Sequence, residues 1–214
     1  MSEAIHSGTL FVVSAPSGAG KTSLVRALIE SDSTVGVCIS HTTRRQRDGE
    51  EDGINYHFIE DTAFRSMVDA GEFIEWAHVF EHLYGTSIHA ANEVLDSGKH
   101  LILEIDWQGA AQISQRIPDT KTIFIFPPSL DSLRSRLESR AQDDDETVEK
   151  RMAAAFEELS HFEEFDYLIV NDEFDEALSE LQDIVSGEGN QLTRAKRLPA
   201  LNSLICDLLP QNTL

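Results

Sequence analysis

Cysteine is scarce in this chain. Its 214 residues hold only Cys38 and Cys206, which form no CxxC and no disulfide framework, so a reducing compartment fits best. Basic residues are also few: 17 Lys and Arg stand against 38 Asp and Glu, a formal charge of -21. Neutralising phosphates along a polymer or an anionic bilayer takes a basic surface, so nucleic acid and membrane are poor partners here. No apolar run approaches the ~18 residues of a spanning helix. Glu3 stands where a signal peptide would be basic, and Leu10–Val13 is too short for its apolar segment. There is no Ser-His-Asp set, no kinase-type His-Arg-Asp and no Asn-Lys-x-Asp guanine-reading tetrapeptide. These absences predict a soluble, cytoplasmic protein whose chemistry needs no catalytic base.

What is present reads as a folded α/β chain. The 41% hydrophobic content allows one compact core and a small appended lobe. Leu10–Val13, Val35–Ile39, Leu101–Ile105, Thr122–Phe126 and Tyr167–Val170 read as buried strands. Helical patterns lie between them at Lys21–Glu30, Ser87–Asp96, Leu130–Arg140, Thr147–Phe162 and Glu173–Val185, and Gly71, Gly98 and Gly187 sit where helices should stop. The alternation predicts a mainly parallel sheet covered on both faces. From about 41 to 86 the rhythm breaks. Strands at Tyr56–Ile59 and Phe73–Phe80 flank a short helix, Thr62–Ala70, with Asp61 as its expected cap, and suggest an inserted α+β lobe. The acidic run at 143–146 reads as a break between two Arg-bearing helices. The tail from 187 to 214 carries one amphipathic stretch, Leu201–Leu208, which suits either its own core or a partner.

The strongest local signal is Ala15-Pro16-Ser17-Gly18-Ala19-Gly20-Lys21-Thr22, directly after a strand and opening a helix. It has the layout GxxxxGK[ST], with Ala15 at the first glycine. Gly18 and Gly20 let the backbone curl until its N–H groups converge on phosphate oxygens, and the helix N-terminus adds a favourable dipole. Lys21 is placed to reach the β- and γ-phosphates and Thr22 to face Mg2+. Leu101–Asp106 is an apolar strand ending in acids, the usual companion that orients hydrated Mg2+.

Two arginine clusters stand out in so acidic a chain. Arg44, Arg45 and Arg47 follow Ser40-His41-Thr42-Thr43 at a predicted strand end, where open α/β sheets bind ligands. A planar guanidinium suits phosphate; a solvated turn balanced by Asp48, Glu50 and Glu51 is the plainer reading. Arg136 and Arg140 share a helix face, with Arg151 beyond the acidic run, and surface ion pairs explain these equally well taken alone. A phosphate loop with two arginine clusters suggests two phosphorylated ligands. His78 and His82, four apart in a predicted strand, would share a face at a separation too large for a metal.

In detail the chain resembles the guanylate kinase family of nucleoside monophosphate kinases. The resemblance is carried by Ser14–Thr22, Ser40–Arg44 with Arg47, Gly53–Tyr56, Glu72–Ala77, Tyr84–Thr86, Ile105–Gly109, Pro127–Ser129 and Ile169–Asp172, in order from about 8 to 186. It implies a P-loop NTPase core (8–40 and 87–186), a GMP-binding lobe (about 41–86) and a helical lid (about 137–151). The implied reaction is ATP with GMP or dGMP giving ADP and the guanosine diphosphate, with Mg2+, in purine nucleotide metabolism. By the resemblance, residues 15–22 and Asn171 bind ATP, and Arg44, Arg47, Tyr56 and Tyr84 hold the GMP phosphate. Ser40, Glu75 and Thr86 face guanine, with Glu104 and Asp106 in reach of GMP or of water around the metal. Lys21, Arg44, Arg136, Arg140 and Arg151 carry the charge of the reaction. A carboxylate at Glu75 accepts the adjacent N1–H and N2–H of guanine and repels the bare N1 of adenine. The chain departs from the family's pattern at Ala15, Gln46, Glu104 and Ala141. The alternatives are a non-catalytic guanylate-kinase-like binding module, against which the whole phosphate loop argues, and a kinase of another small phosphorylated acceptor. Self-association is compatible with the sequence.

Overall fold

Leu10–Ser14 is buried at every residue, and Thr122–Phe126 likewise, so these strands have neither face in water. That is the signature of a parallel sheet between helical layers. The computed structural model describes residues 8–79, 81–140 and 145–209. In chain order the elements begin with β1 (Leu10–Ser14), α1 (Lys21–Ser31), β2 (Val35–Val37), β3 (His41–Thr42), β4 (His57–Phe58) and α2 (Asp61–Asp69). Then come β5 (Phe73–Val79), β6 (His82–Ser87), α3 (Ile88–Asp96), β7 (His100–Glu104), α4 (Trp107–Arg116) and β8 (Lys121–Phe126). The chain continues through α5 (Leu130–Arg140), α6 (Asp145–Ser160), β9 (Tyr167–Val170), α7 (Phe174–Ser186) and α8 (Arg194–Leu208).

The chain divides into two compact units. The described residues of the first fall within 1–10, 34–103 and 108–120. In it β2 and β7 pair in parallel, Val35 against His100, and a mixed sheet runs in the order β4-β3-β6-β5. Phe64, Phe73 and Leu83 form the apolar floor of that mixed sheet, with Phe64 stacked on Phe73 at 4.6 Å between centroids. Gly85 in β6 lets both rings approach, since a Cβ there would lie 3.0 Å from each.

The described residues of the second unit fall within 11–33, 104–107 and 121–214. Parallel pairing joins β1 to β8 and β8 to β9, with Val13 opposite Ile123 and Ile125 opposite Ile169. Helix α7 buries Ala177, Leu181, Ile184 and Val185, one stripe of a 3.6-residue period, and stops at Gly187 with φ 88°. Helices α5 and α6 meet through Leu133, Leu137, Val148, Met152 and Ala155.

Four differences from the sequence expectation have physical causes. Helix α2 starts at Asp61 behind Glu60, and the Asp61 carboxylate pairs with Arg65 at 2.5 Å, so it is a first-turn residue and not the cap. Helix α4 and strand β6 were unexpected; Gly109 and Gly85, within them, are poor formers of helix and strand. His78 and His82 lie on separate strands of one hairpin, and among the described residues no group of His, Cys, Asp or Glu could hold a metal ion. The tail helix runs from Arg194 through Pro199 to Leu208. It packs on its own unit, burying Leu201 and Leu208, pairing Arg197 with Glu180 at 2.5 Å and donating from the Arg194 amide to the Asp166 carbonyl. Ala141, the 143–144 part of the acidic run, 141–144 of the expected lid, 210–214 of the tail and the Arg140 side chain lie outside the described residues. Among the described residues no helix is long and apolar enough to cross a membrane.

Phe64 is fully buried in the floor of the mixed sheet. Phe64→Ala should destabilise the protein by about 3–5 kcal/mol, read as a lowered urea midpoint at unchanged slope.

Candidate active site

The structure brings predicted residues together in two places, one in each unit. In the second unit the chain leaves β1 through Ala15 and turns at Pro16, whose carbonyl accepts from the Ala19 amide at 3.0 Å. Gly18 (φ 92°) and Gly20 (φ 93°) take left-handed conformations that other residues avoid, so the curl of the loop is written into two glycines. Leu133 and Leu137 of α5 press against Gly18, where a Cβ would lie 3.2 Å from each. Gly20 ends the loop as the N-cap of helix α1 and supplies no side-chain cap, and the helix begins at Lys21 and Thr22. Lys21 Nζ rests on the Ile105 carbonyl at 3.3 Å, and Thr22 is exposed.

Asn171 is buried at the end of β9, and its amide donates to the Ala19 carbonyl at 2.6 Å. Arg136 reaches the same carbonyl at 3.4 Å and that of Asn171 at 3.3 Å. These contacts make Asn171 a clamp on the loop's shape, and they set Arg136 against the loop itself. Arg151 lies on α6 and is partly buried; Asp106 is half-buried just beyond β7, and Glu104 is exposed.

Glu158 of α6 is a residue that sequence reasoning missed. Its carboxylate accepts from the Ser17 amide at 2.9 Å, within electrostatic reach of Lys21 and Asp106. Burial pushes its carboxyl above the usual range, and the Ser17 amide and Lys21 only partly offset that. Nearby, Trp107 stacks on His161 at 3.5 Å and 7°. The only sequence signal for Glu158 is its seven-residue spacing from Arg151, which puts both on one helical face.

The second cluster belongs to the first unit. Glu75 in β5 is buried and faces Thr86 in β6, whose hydroxyl donates to it at 2.5 Å; Ser40 lies 3.3 Å from the Thr86 hydroxyl. Cys38 is close by, and burial with the Glu75 charge pushes its thiol up to about 12, so it stays protonated. Arg44 is buried with its guanidinium 5.5 Å from the Tyr56 ring, and Tyr56 meets Tyr84 edge-on at 5.8 Å. Arg45 and Arg47 are exposed. Glu50, which the sequence offered only as a balancing charge, grips Arg44 with both oxygens at 2.7 and 2.9 Å and accepts from the Arg47 amide at 2.8 Å. It holds Arg44 in place, and the Arg44 hydrogen bond keeps the Glu50 carboxyl below its usual range.

A glycine-built phosphate loop on a parallel sheet in one unit, and a buried carboxylate–hydroxyl set with an oriented arginine in the other, are features of a nucleotide-binding α/β protein. The comparisons narrow this class. The family model for guanylate kinase matches residues 7–188. The guanylate kinase of Alkalilimnicola ehrlichii is 52% identical over 202 residues, 94% of this chain and 98% of that protein. That of Chromohalobacter salexigens is 48% identical over 92% of this chain and 93% of its own. A crystal structure of guanylate kinase from Anaplasma phagocytophilum superposes with a TM-score of 0.71 at 30% identity, covering 92% of this chain and 96% of that one. The chain belongs to the guanylate kinase family.

Because its folded value is lowered from the ordinary 4.5, Glu50 contributes stability that is complete above that pH and is lost as pH falls through the lowered value. The stability gap between wild type and Glu50→Gln should therefore be widest near neutrality and close on acidification, measured as melting temperature from pH 7 to 3.

Proposed function

We propose that this chain transfers the γ-phosphate of ATP to GMP or dGMP, giving ADP and the corresponding diphosphate, with the two clusters dividing the substrates between them. The observation that carries this is Glu75. A buried carboxylate, held at 2.5 Å by the Thr86 hydroxyl and with Ser40 alongside, is an acceptor set for the N1–H and N2–H edge of guanine. Adenine, with a lone pair at N1, offers the carboxylate no donor there and repels it, which is a strong rejection. Arg44, Tyr56 and Tyr84 then receive the 5′-phosphate, with Arg47 at the surface.

In this reading the loop from Ala15 to Thr22 takes the ATP phosphates on its amides, and Asn171 and Arg136 keep that loop in shape. The donors suited to Mg2+ are hard oxygens: the Thr22 hydroxyl, with Asp106 and Glu104 to orient bound water. The described residues form no cluster that could hold a metal by protein ligands alone, which suits an ion completed by phosphate and water. When bound, the ion would spread the charge developing on the transferred group.

No base is needed. A nucleoside monophosphate has a second pKa near ~6, so its attacking oxygen is already ionised at neutral pH. The obstacle is repulsion between anions, about 4 kcal/mol for two unit charges at 4 Å and an effective dielectric of ~20. Lys21, now resting on the Ile105 carbonyl, leaves that weak contact for the phosphates, and Arg136, Arg140 and Arg151 stabilise the charge spread over the transferred group. Exclusion of water around both substrates limits loss of ATP to hydrolysis.

The deciding assay follows ADP release with GMP, dGMP, AMP, CMP and UMP as acceptors. Binding of ATP with no product from any guanylate would refute the proposal. Lys21→Ala should lower kcat by about a hundredfold or more while the melting temperature stays near wild type. Glu75→Gln should erode the preference for GMP over AMP by at least about tenfold in kcat/KM; an unchanged ratio would remove Glu75 from base reading.

A further inference from the structure

Among the described residues, strand β5 is the outer strand of the sheet β4-β3-β6-β5, so one of its edges carries no further strand. Its pairing with β6 also slips. Phe73 lies opposite Ser87 and Glu75 opposite Thr86, which leaves Ile74 as an extra residue. Two residues apart, Phe73 and Glu75 would share a face in a regular strand. Across the bulge they do not: Phe73 joins Phe64 and Leu83 in the apolar floor, while Glu75 meets the Thr86 hydroxyl. Burial records the same phase change, with Phe73, Ile74 and Glu75 all buried before Trp76 returns to 36% exposure. Such a bulge aims a side chain but weakens the ladder that holds it.

Helix α4 supplies what the ladder lacks. Arg116 donates from one nitrogen to the Phe73 carbonyl at 3.0 Å and the Ile74 carbonyl at 2.6 Å. One turn earlier, Gln112 takes both polar groups of Trp76, accepting from its amide at 3.2 Å and donating to its carbonyl at 2.7 Å. The primary amide thus imitates a neighbouring strand on the open edge. At i and i+4 the two side chains share a helix face and hold the backbone on both sides of Glu75.

We propose that Gln112 and Arg116 are positioning residues for base selection: by fixing the backbone on either side of Glu75, they set the direction of its carboxylate and thereby how sharply the acceptor site prefers guanine. The inference rests on the reading of Glu75 as the group that meets the base. Accepting two parallel N–H groups requires the carboxylate to lie in the plane of the base, and a shift of about 1 Å at such a site costs up to about a hundredfold. A swivelled carboxylate loses its second bond to guanine and, equally, its repulsion of adenine.

The test compares wild type, Gln112→Ala, Arg116→Met, the double variant and Arg116→Lys. The readouts are kcat/KM for GMP, IMP and AMP, KM for ATP, and circular dichroism with thermal melting. The preference for GMP over AMP should fall by about tenfold or more in the double variant, with a raised KM for GMP and an unchanged KM for ATP. Arg116→Lys, which keeps a donor for the two carbonyls, should stay nearer wild type than Arg116→Met. A folded double variant with wild-type preference overturns the inference, and so does an equal rise in both KM values, which is what a purely structural role would give. Should the double variant fail to fold, the folded single variants decide by the same ratio. If Glu75→Gln alone leaves the preference unchanged, the base-reading role is what fails; if Glu75→Gln collapses it and the Gln112 and Arg116 variants do not, only the positioning inference falls.

Discussion

A chain that carries a formal charge of -21 and handles polyanions depends on where its few cations are tethered. Three of them are tethered in advance. Arg44 is locked by both oxygens of Glu50, Arg136 rests on the carbonyls of Ala19 and Asn171, and Lys21 on that of Ile105. Side chains ordered beforehand lose little freedom when an anion arrives. The amides of the glycine loop add attraction without adding charge, so the electrostatic work is shared between a small number of fixed guanidinium groups and the backbone.

The same economy governs the proposed acceptor cluster, where an acid is the group we assign to the base. Glu75 is buried, and the Thr86 hydroxyl keeps it from being an unsatisfied acceptor. Burial, with the Glu75 charge, also keeps the neighbouring Cys38 thiol protonated. Carboxylates also do structural duty elsewhere: Glu50 orients an arginine, and Glu158 ties α6 to the Ser17 amide. An excess of acid in this chain is therefore more than a solubilising surface.

Local chemistry made much of this readable from the sequence. Strands such as Leu10–Ser14 and Tyr167–Val170 are short apolar runs with no alternative use, and the loop glycines stand at fixed offsets before Lys21. Gly187 stopped α7 where expected. Helix α4 was hidden because its apolar stripe is thin, with Gly109, Ala110 and Ile113 as its buried residues and polar residues through the rest. Pro199 masked the first part of α8: it stands inside the helix, past the first turn, where a proline removes a backbone hydrogen bond and argues against helix. Glu158, Gln112 and Arg116 were invisible for a different reason. Each acts on a backbone group 36 or more residues away in the chain, and a side chain seeking a main-chain partner leaves no pattern in sequence. The family resemblance led to the expectation that Asn171 lies near ATP; its hydrogen bond to the Ala19 carbonyl leaves no pattern in sequence.

The pairing of Gly20 with Asn171 bears on how this chain can evolve. A Cβ at position 20 would collide with the Asn171 amide, and the glycine's φ of 93° penalises any side chain there in its own right. Two sites 151 positions apart are thus bound into one heritable unit. Drift at the loop glycine is closed until the distant asparagine shrinks, and shrinking it first surrenders the bond that shapes the loop. Lineages descending from this sequence therefore face a barrier on either route and should keep both residues together.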